Sequence, residues 1–185
     1  MEKDVNNLPK RKNPRLEGFD YNTPGTRFIT ICTHQRRQFL SKVVGGLPDH
    51  DTFGSMEEMP SVVLTEQGQI VDRIIRNLPS RLGVEIEQYV IMPNHIHMIV
   101  IIPELMRAIR ESPLQKKRST LSKAMGYLKM NASKELRARF GYQRVWQRNY
   151  YDHIIRNHQD HEAIAHYILT NPQKWQFDCF CKEGL

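Results

Sequence analysis

Apolar positions recur along this chain in two rhythms. The run Phe28-Ile29-Thr30-Ile31-Cys32, within Arg27 to Thr33, is β-branched and partly alternating. It follows a Thr23-Pro24-Gly25 turn and predicts a first strand. Ile70, Ile74, Ile75 and Leu78 then fall at helical spacing, with Thr65 as cap, so a helix is predicted from about Thr65 to Asn77. Val84 to Met92 and His95 to Ile102 read as two more strands, joined through Pro93-Asn94 into a hairpin. A long helix is predicted from about Ser119 to Phe140, with Leu121, Met125, Leu128 and Leu136 on one side. A short strand is expected at Val145-Trp146 or at Asp152 to Ile155. A last helix runs from about Gln159 to Thr170, capped by Asn157 and ended by Pro172. The order β-α-β-β-α-(β)-α predicts an α+β fold: an antiparallel sheet with helices packed on one face, of the split βαβ or ferredoxin-like kind.

The stretches between these elements set the domain plan. Residues 1–20 read as a basic N-terminal arm carrying Lys3, Lys10, Arg11, Lys12 and Arg15, with Pro9 and Pro14 against a helix. Residues 21–185 form one domain. Within it, residues 40–60 read as an irregular insertion marked by Gly45-Gly46, Pro48, Gly54 and Pro60.

Composition narrows the function classes. The 185 residues carry 27 Lys plus Arg against 20 Asp plus Glu, a formal charge of +7 that suits a polyanionic partner. No stretch approaches ~18 uninterrupted apolar residues, so a membrane-spanning helix and a membrane partner are not expected. The first residues lack an apolar signal core, and Cys32, Cys179 and Cys181 include no CxxC pair. The expectation is a cytoplasmic protein without a disulfide framework or a Cys-based zinc site.

Three constellations could carry chemistry. His95-Ile96-His97 sits on a predicted strand, so its two imidazoles share one face and can reach one metal ion. The bland alternative is a pair of half-exposed histidines. Tyr167 and Asn171 lie four residues apart, on one face of the last helix. They read equally as a core tyrosine and a helix stop. The segment Val145 to Arg156 mixes aromatics, amides and cations: aromatic faces stack on unpaired bases and Arg binds phosphate, while Trp146 would also serve as a core anchor.

Taken together, Tyr89 to His97, Trp146-Gln147 to Arg156 and Tyr167-Ile168-Leu169-Thr170-Asn171-Pro172 resemble the single-tyrosine HUH transposases, and within them the branch associated with repetitive extragenic palindromes. The likeness spans roughly residues 20 to 176, and Phe28 to Cys32 with His34-Gln35-Arg36-Arg37 falls where that family has its first strand and a basic turn. The resemblance implies that His95, His97 and Asn171 hold a divalent metal, Mg²⁺ or Mn²⁺, and that Tyr167 is the nucleophile. Other branches carry Gln where this chain has Asn171. Tyr150 and Tyr151 compete for the nucleophile's role but lack an amide four residues on at a helix end.

The resemblance implies a DNA transposase that cleaves and rejoins single-stranded or hairpin DNA, REP-type palindromes included, through a 5′-phosphotyrosine intermediate. Arg148, Arg156, Lys123, Lys129, Trp146 and Gln147 are the expected DNA contacts. A homodimer is compatible with this reading. Two rivals stand beside it. One is a catalytically idle DNA-hairpin-binding module. The other is a zinc hydrolase, disfavoured by the charge and by the lack of a third His or carboxylate in a zinc motif.

Overall fold

The computed structural model describes residues 23–45, 59–104 and 119–177. The expected arm at 1–20 and residues 46–58 of the expected insertion lie outside them.

The architecture is α+β. Four antiparallel strands form the main sheet: β1 (Gly25–Cys32), β4 (Glu85–Ile91), β5 (His95–Ile102) and β6 (Tyr151–Ile154), in the order β4-β5-β1-β6. The central pair β1/β5 sets the register, with Cys32 opposite His95, Thr30 opposite His97 and Phe28 opposite Ile99. The short strand expected near residue 150 is β6, and Trp146 makes an isolated bridge to Thr33 besides.

Side-chain alternation divides this sheet into two faces. Ile29, Ile31, Ile96, Met98, Val100 and Ile102 join the main core. They meet Ile70, Val71, Ile74 and Ile75 of α1 (Glu66–Arg76) and Leu121, Met125, Leu128 and Leu136 of α3 (Thr120–Phe140). A short helix, α2 (Leu78–Leu82), follows α1 and ends at Gly83 in the left-handed conformation. The last helix, α4 (His158–Lys174), covers the opposite face, where Ile168 meets Phe28 and Ile99. Helices therefore pack on both faces, whereas the pattern had suggested one. Among the described residues, no helix is long and apolar enough to cross a membrane.

Two further expectations change. Residues 41–44 are not irregular: Ser41–Val44 (β2) pairs antiparallel with Ser61–Leu64 (β3) in a separate two-stranded sheet. The quartets Ser-Lys-Val-Val and Ser-Val-Val-Leu are too short for alternation to stand out. Pro172 does not end α4, which runs on to Lys174. A proline in the last turn removes one N–H from the helical ladder but leaves its own carbonyl to accept from Trp175.

The start of α1 is fastened to the chain before β2. Thr65 Oγ1 caps Gly68 N at 3.1 Å and donates to the carbonyls of Phe39 and Leu40 at 2.7 and 2.8 Å. Gly68 is required there, because a Cβ would stand 1.9 Å from the Leu40 carbonyl oxygen. Gly68→Ala is expected to destabilise the fold by about 2 kcal/mol or more, since the obstacle is backbone. Denaturant unfolding measures it, and a change under ~0.5 kcal/mol would show that the Leu40 segment yields freely.

Candidate metal and nucleophile site

The site grows from the Pro93-Asn94 turn between β4 and β5. The segment after β1 grips this turn. Thr33 N donates to Asn94 O at 2.9 Å, and Phe39 N and Leu40 N both donate to Pro93 O at 3.0 Å. Between them, Gln35 and Arg36 take left-handed backbone conformations, φ 56° and 54°. Such turns are costly for residues other than glycine. This one brings the Arg36 carbonyl to Asn94 Nδ2, at 3.1 Å.

That contact orients the next residue. With its nitrogen donating to Arg36, the Asn94 side chain presents Oδ1 to His95 Nδ1, at 2.9 Å. A carboxamide oxygen only accepts, so His95 Nδ1 carries the proton. In the neutral ring Nε2 then carries the lone pair, and that nitrogen is buried. His97 is tied in the same way: Thr30 Oγ1, opposite it in the β1/β5 register, lies 2.8 Å from Nδ1. Both imidazoles thus spend Nδ1 on the protein frame and turn Nε2 elsewhere. Their ring centroids are 4.4 Å apart.

Helix α4 closes over this pair. Asn157 caps it, accepting from Asp160 N at 2.8 Å. The Tyr167 hydroxyl lies 3.3 Å from His97 Nε2. Two turns further on, the Trp175 ring sits 5.9 Å from the His95 ring, centroid to centroid. Asn171, fully buried, lies midway along the same stripe, spaced by four residues from each. One helix face therefore carries a phenol, a carboxamide and an indole, and the phenol and the indole meet the two histidines. Phe28 stacks on His97 from β1 at 5.2 Å.

Burial, with the nearby His95 adding to it, holds the His97 imidazole well below its ordinary value of 6.5. His97 is thus neutral at pH 7, as a metal ligand must be. Among the described residues no group of three His, Cys, Asp or Glu side chains comes together. A metal here would draw on two imidazole nitrogens and an amide oxygen. That donor set is neutral and mixed: imidazole suits transition ions and amide oxygen suits hard ones, so the residues fit a divalent ion such as Mn²⁺. Neutral ligands would also leave the ion's charge for an anionic substrate.

The remaining expected residues divide. Gln147 lines a cavity beside His97 and Tyr167, together with Tyr150 and Tyr151. The Tyr150 hydroxyl is 3.5 Å from Ser122 Oγ on α3, while Tyr167 is the tyrosine bonded to a site histidine. Arg148 and Arg156 are exposed beside this region, and Lys123 is exposed on α3. Lys129 departs from expectation. Its ammonium donates to the carbonyls of Gln147, Arg148 and Asn149 at 2.6, 3.1 and 3.3 Å, holding a loop rather than reaching for a phosphate. Trp146 is buried as a core anchor. Thr30 and Asn94 went unnoticed in the sequence, where nothing marks a side chain that acts by holding another.

The neutral His97 makes folding pH-dependent. Below pH ~6.5 the unfolded chain takes up a proton that the native site refuses, so stability falls as pH falls. The metal-free chain should lose up to about 1.4 kcal/mol per pH unit from this group below that point. Denaturant unfolding between pH 7.5 and 5.5 should show a steeper loss for the wild type than for His97→Gln. Parallel curves would remove His97 as the source.

No family model matches the chain. It is 30% identical over 178 residues to an uncharacterized protein of Haemophilus influenzae, covering 91% of each, and the two belong to one family. It is 26% identical over 132 residues to the REP-associated tyrosine transposase of Escherichia coli, covering 66% of this chain and 70% of that one. Its fold matches a solved REP-associated tyrosine transposase bound to a REP hairpin, with a TM-score of 0.56 at 23% identity over 86% of this chain and 74% of the other.

Proposed function

We propose, from the premise that this chain belongs to the family of the REP-associated tyrosine transposases, that it cleaves and rejoins single-stranded or hairpin DNA through a covalent phosphotyrosine on Tyr167. The observation that carries this reading is the Tyr167 hydroxyl, 3.3 Å from His97 Nε2, on a helix stripe that also carries the buried Asn171. Tyr167 and His97 line one wall of an open cavity, while His95 and Asn171 are buried.

In this mechanism the Tyr167 oxygen attacks the scissile phosphorus in line, and the phosphorus–O3′ bond breaks. The phenol gives up its proton, the departing 3′-oxygen gains one, and the strand's 5′-phosphate stays on the tyrosine. A second 3′-hydroxyl then attacks that phosphorus, the tyrosine–phosphorus bond breaks and the phenol re-forms. Bond energy is conserved across the two steps, so no nucleotide cofactor is consumed. His95, His97 and Asn171 would hold a divalent ion, Mg²⁺ or Mn²⁺, whose chemistry when bound is to polarise the phosphate and stabilise the leaving oxygen. Asn94 and Thr30 serve that role indirectly, by fixing which nitrogen each imidazole offers. The likeness to a hairpin-bound relative supports a DNA hairpin as the binding partner.

Tyr167→Phe deletes one oxygen and keeps the ring packed against Phe28. It should bind a hairpin with a single-stranded flank as the wild type does, yet form no covalent adduct on denaturing gels. Tyr150→Phe and Tyr151→Phe should still form it. EDTA should stop adduct formation, and His95→Ala should lower it by more than ~100-fold. An adduct that persists in Tyr167→Phe would assign the chemistry to another residue. Hairpin binding without any adduct in the wild type would leave a binding module.

A further inference from the structure

A cavity of about 490 Å³ opens beside the nucleophile, within the range of ~300–1,000 Å³ usual for ligand pockets. Phe28, Thr30 and Cys32 of β1 form its floor, and Tyr167 and His97 form one side. Gln147, Asn149, Tyr150 and Tyr151 form the other, and the walls are predominantly apolar. Among the described residues, no Lys, Arg, Asp or Glu lines it.

The loop side is built in advance. Gln147 N donates to Cys32 O at 2.9 Å, which joins the loop to the floor. The Lys129 ammonium holds three successive carbonyls, those of Gln147, Arg148 and Asn149, from behind. Buried Trp146 anchors the start of the same loop. A segment tied this closely keeps its shape before any ligand arrives.

The lining decides what can enter. A nucleic-acid strand offers phosphates, sugars and bases. A phosphate is charged and strongly hydrated, and an uncharged apolar recess would leave it uncompensated. An unpaired base has flat apolar faces and an edge of donors and acceptors. Phe28, Tyr150 and Tyr151 supply aromatic rings for the faces, and the Gln147 and Asn149 carboxamides carry the complementary edge chemistry. Because Tyr167 and His97 form one wall, a phosphate placed for attack by Tyr167 has its neighbouring nucleotide at this recess.

We infer that the recess is a nucleobase subsite, which seats one unpaired base next to the phosphate that faces Tyr167. The inference rests on the DNA reading above and adds to it. The cutting position is set in part by direct protein contact with a base, through a stacking slot with amide groups at its side.

The test uses the full chain carrying Tyr167→Phe and a DNA hairpin with a single-stranded flank of 5-iodo-2′-deoxyuridine, in which every flank base can photo-crosslink to an aromatic ring. Anisotropy measures binding, and mass spectrometry maps the crosslinks. The expected result is binding with crosslinks at Phe28, Tyr150 or Tyr151. Adding Tyr151→Ala, a change at a half-exposed position, should weaken binding about tenfold, and Tyr151→Phe should restore it. Binding with crosslinks only elsewhere, or equal affinity in Tyr151→Ala, would overturn the subsite and leave the DNA reading in place. No binding at all would overturn both.

Discussion

Two imidazoles buried side by side in the central strand constrain everything around them. Polar rings inside an apolar sheet cost roughly 1–3 kcal/mol each unless partnered. Here each Nδ1 has its partner, Thr30 Oγ1 from the neighbouring strand and Asn94 Oδ1 from the preceding turn. Those partners exist only in one register. Moving β1 by one residue against β5 would put Ile29 or Ile31 opposite His97 and turn the alternate side chains to the wrong face. The apolar core and the histidine pair therefore demand the same alignment. Ile29, Ile31, Ile96 and Met98 must face α1 and α3 for the histidines to face α4.

The covering helix is held differently from the other two. The core under α1 and α3 is broad, whereas the apolar cluster under α4 centres on Phe28, Ile99 and Ile168. Polar and aromatic contacts add to it: Tyr167 on His97, Trp175 beside His95, and Gln88 Nε2 donating to Ala165 O at 3.1 Å. The helix that carries Tyr167 is thus located largely by the residues it meets on the sheet. Its passage through Pro172 matters for the same reason. Had the helix stopped there, Trp175 would not lie two turns after Tyr167 on one stripe, and Asn171 would be a terminal residue instead of a buried one.

Much of this was legible in the sequence, and the exceptions follow a physical rule. Strands β1, β4 and β5 and helices α1 and α3 declare themselves because their apolar residues repeat over seven or more positions. The quartets β2 and β3 are too short to show a period, and each is completed by a partner about twenty residues away. Pro172 misled because a proline reads as a stop, although a last turn tolerates it. That His95, His97 and Tyr167 come together was readable from spacing and resemblance together. Their supports were not: Thr30 and His97 are 67 residues apart, and Asn94 finds Arg36 across 58. A threonine in a strand and an asparagine after a proline have ordinary local explanations, and only the fold gives them a second role.

Lys129 shows the same rule from the side of charge. On a helix rich in cations it reads as one more candidate for a phosphate, and composition gives no reason to separate it from Lys123. The structure separates them by burial. Lys123 stays in solvent, while Lys129 is drawn under the loop after Trp146, where burial pushes its pKa down to about 8. At neutral pH it remains largely charged, and its three N–H groups meet three carbonyls in succession. Two neighbouring lysines on one helix thus do different work. The basic excess of the chain is not all available to a polyanion, because part of it is spent inside, shaping the wall that faces Tyr167.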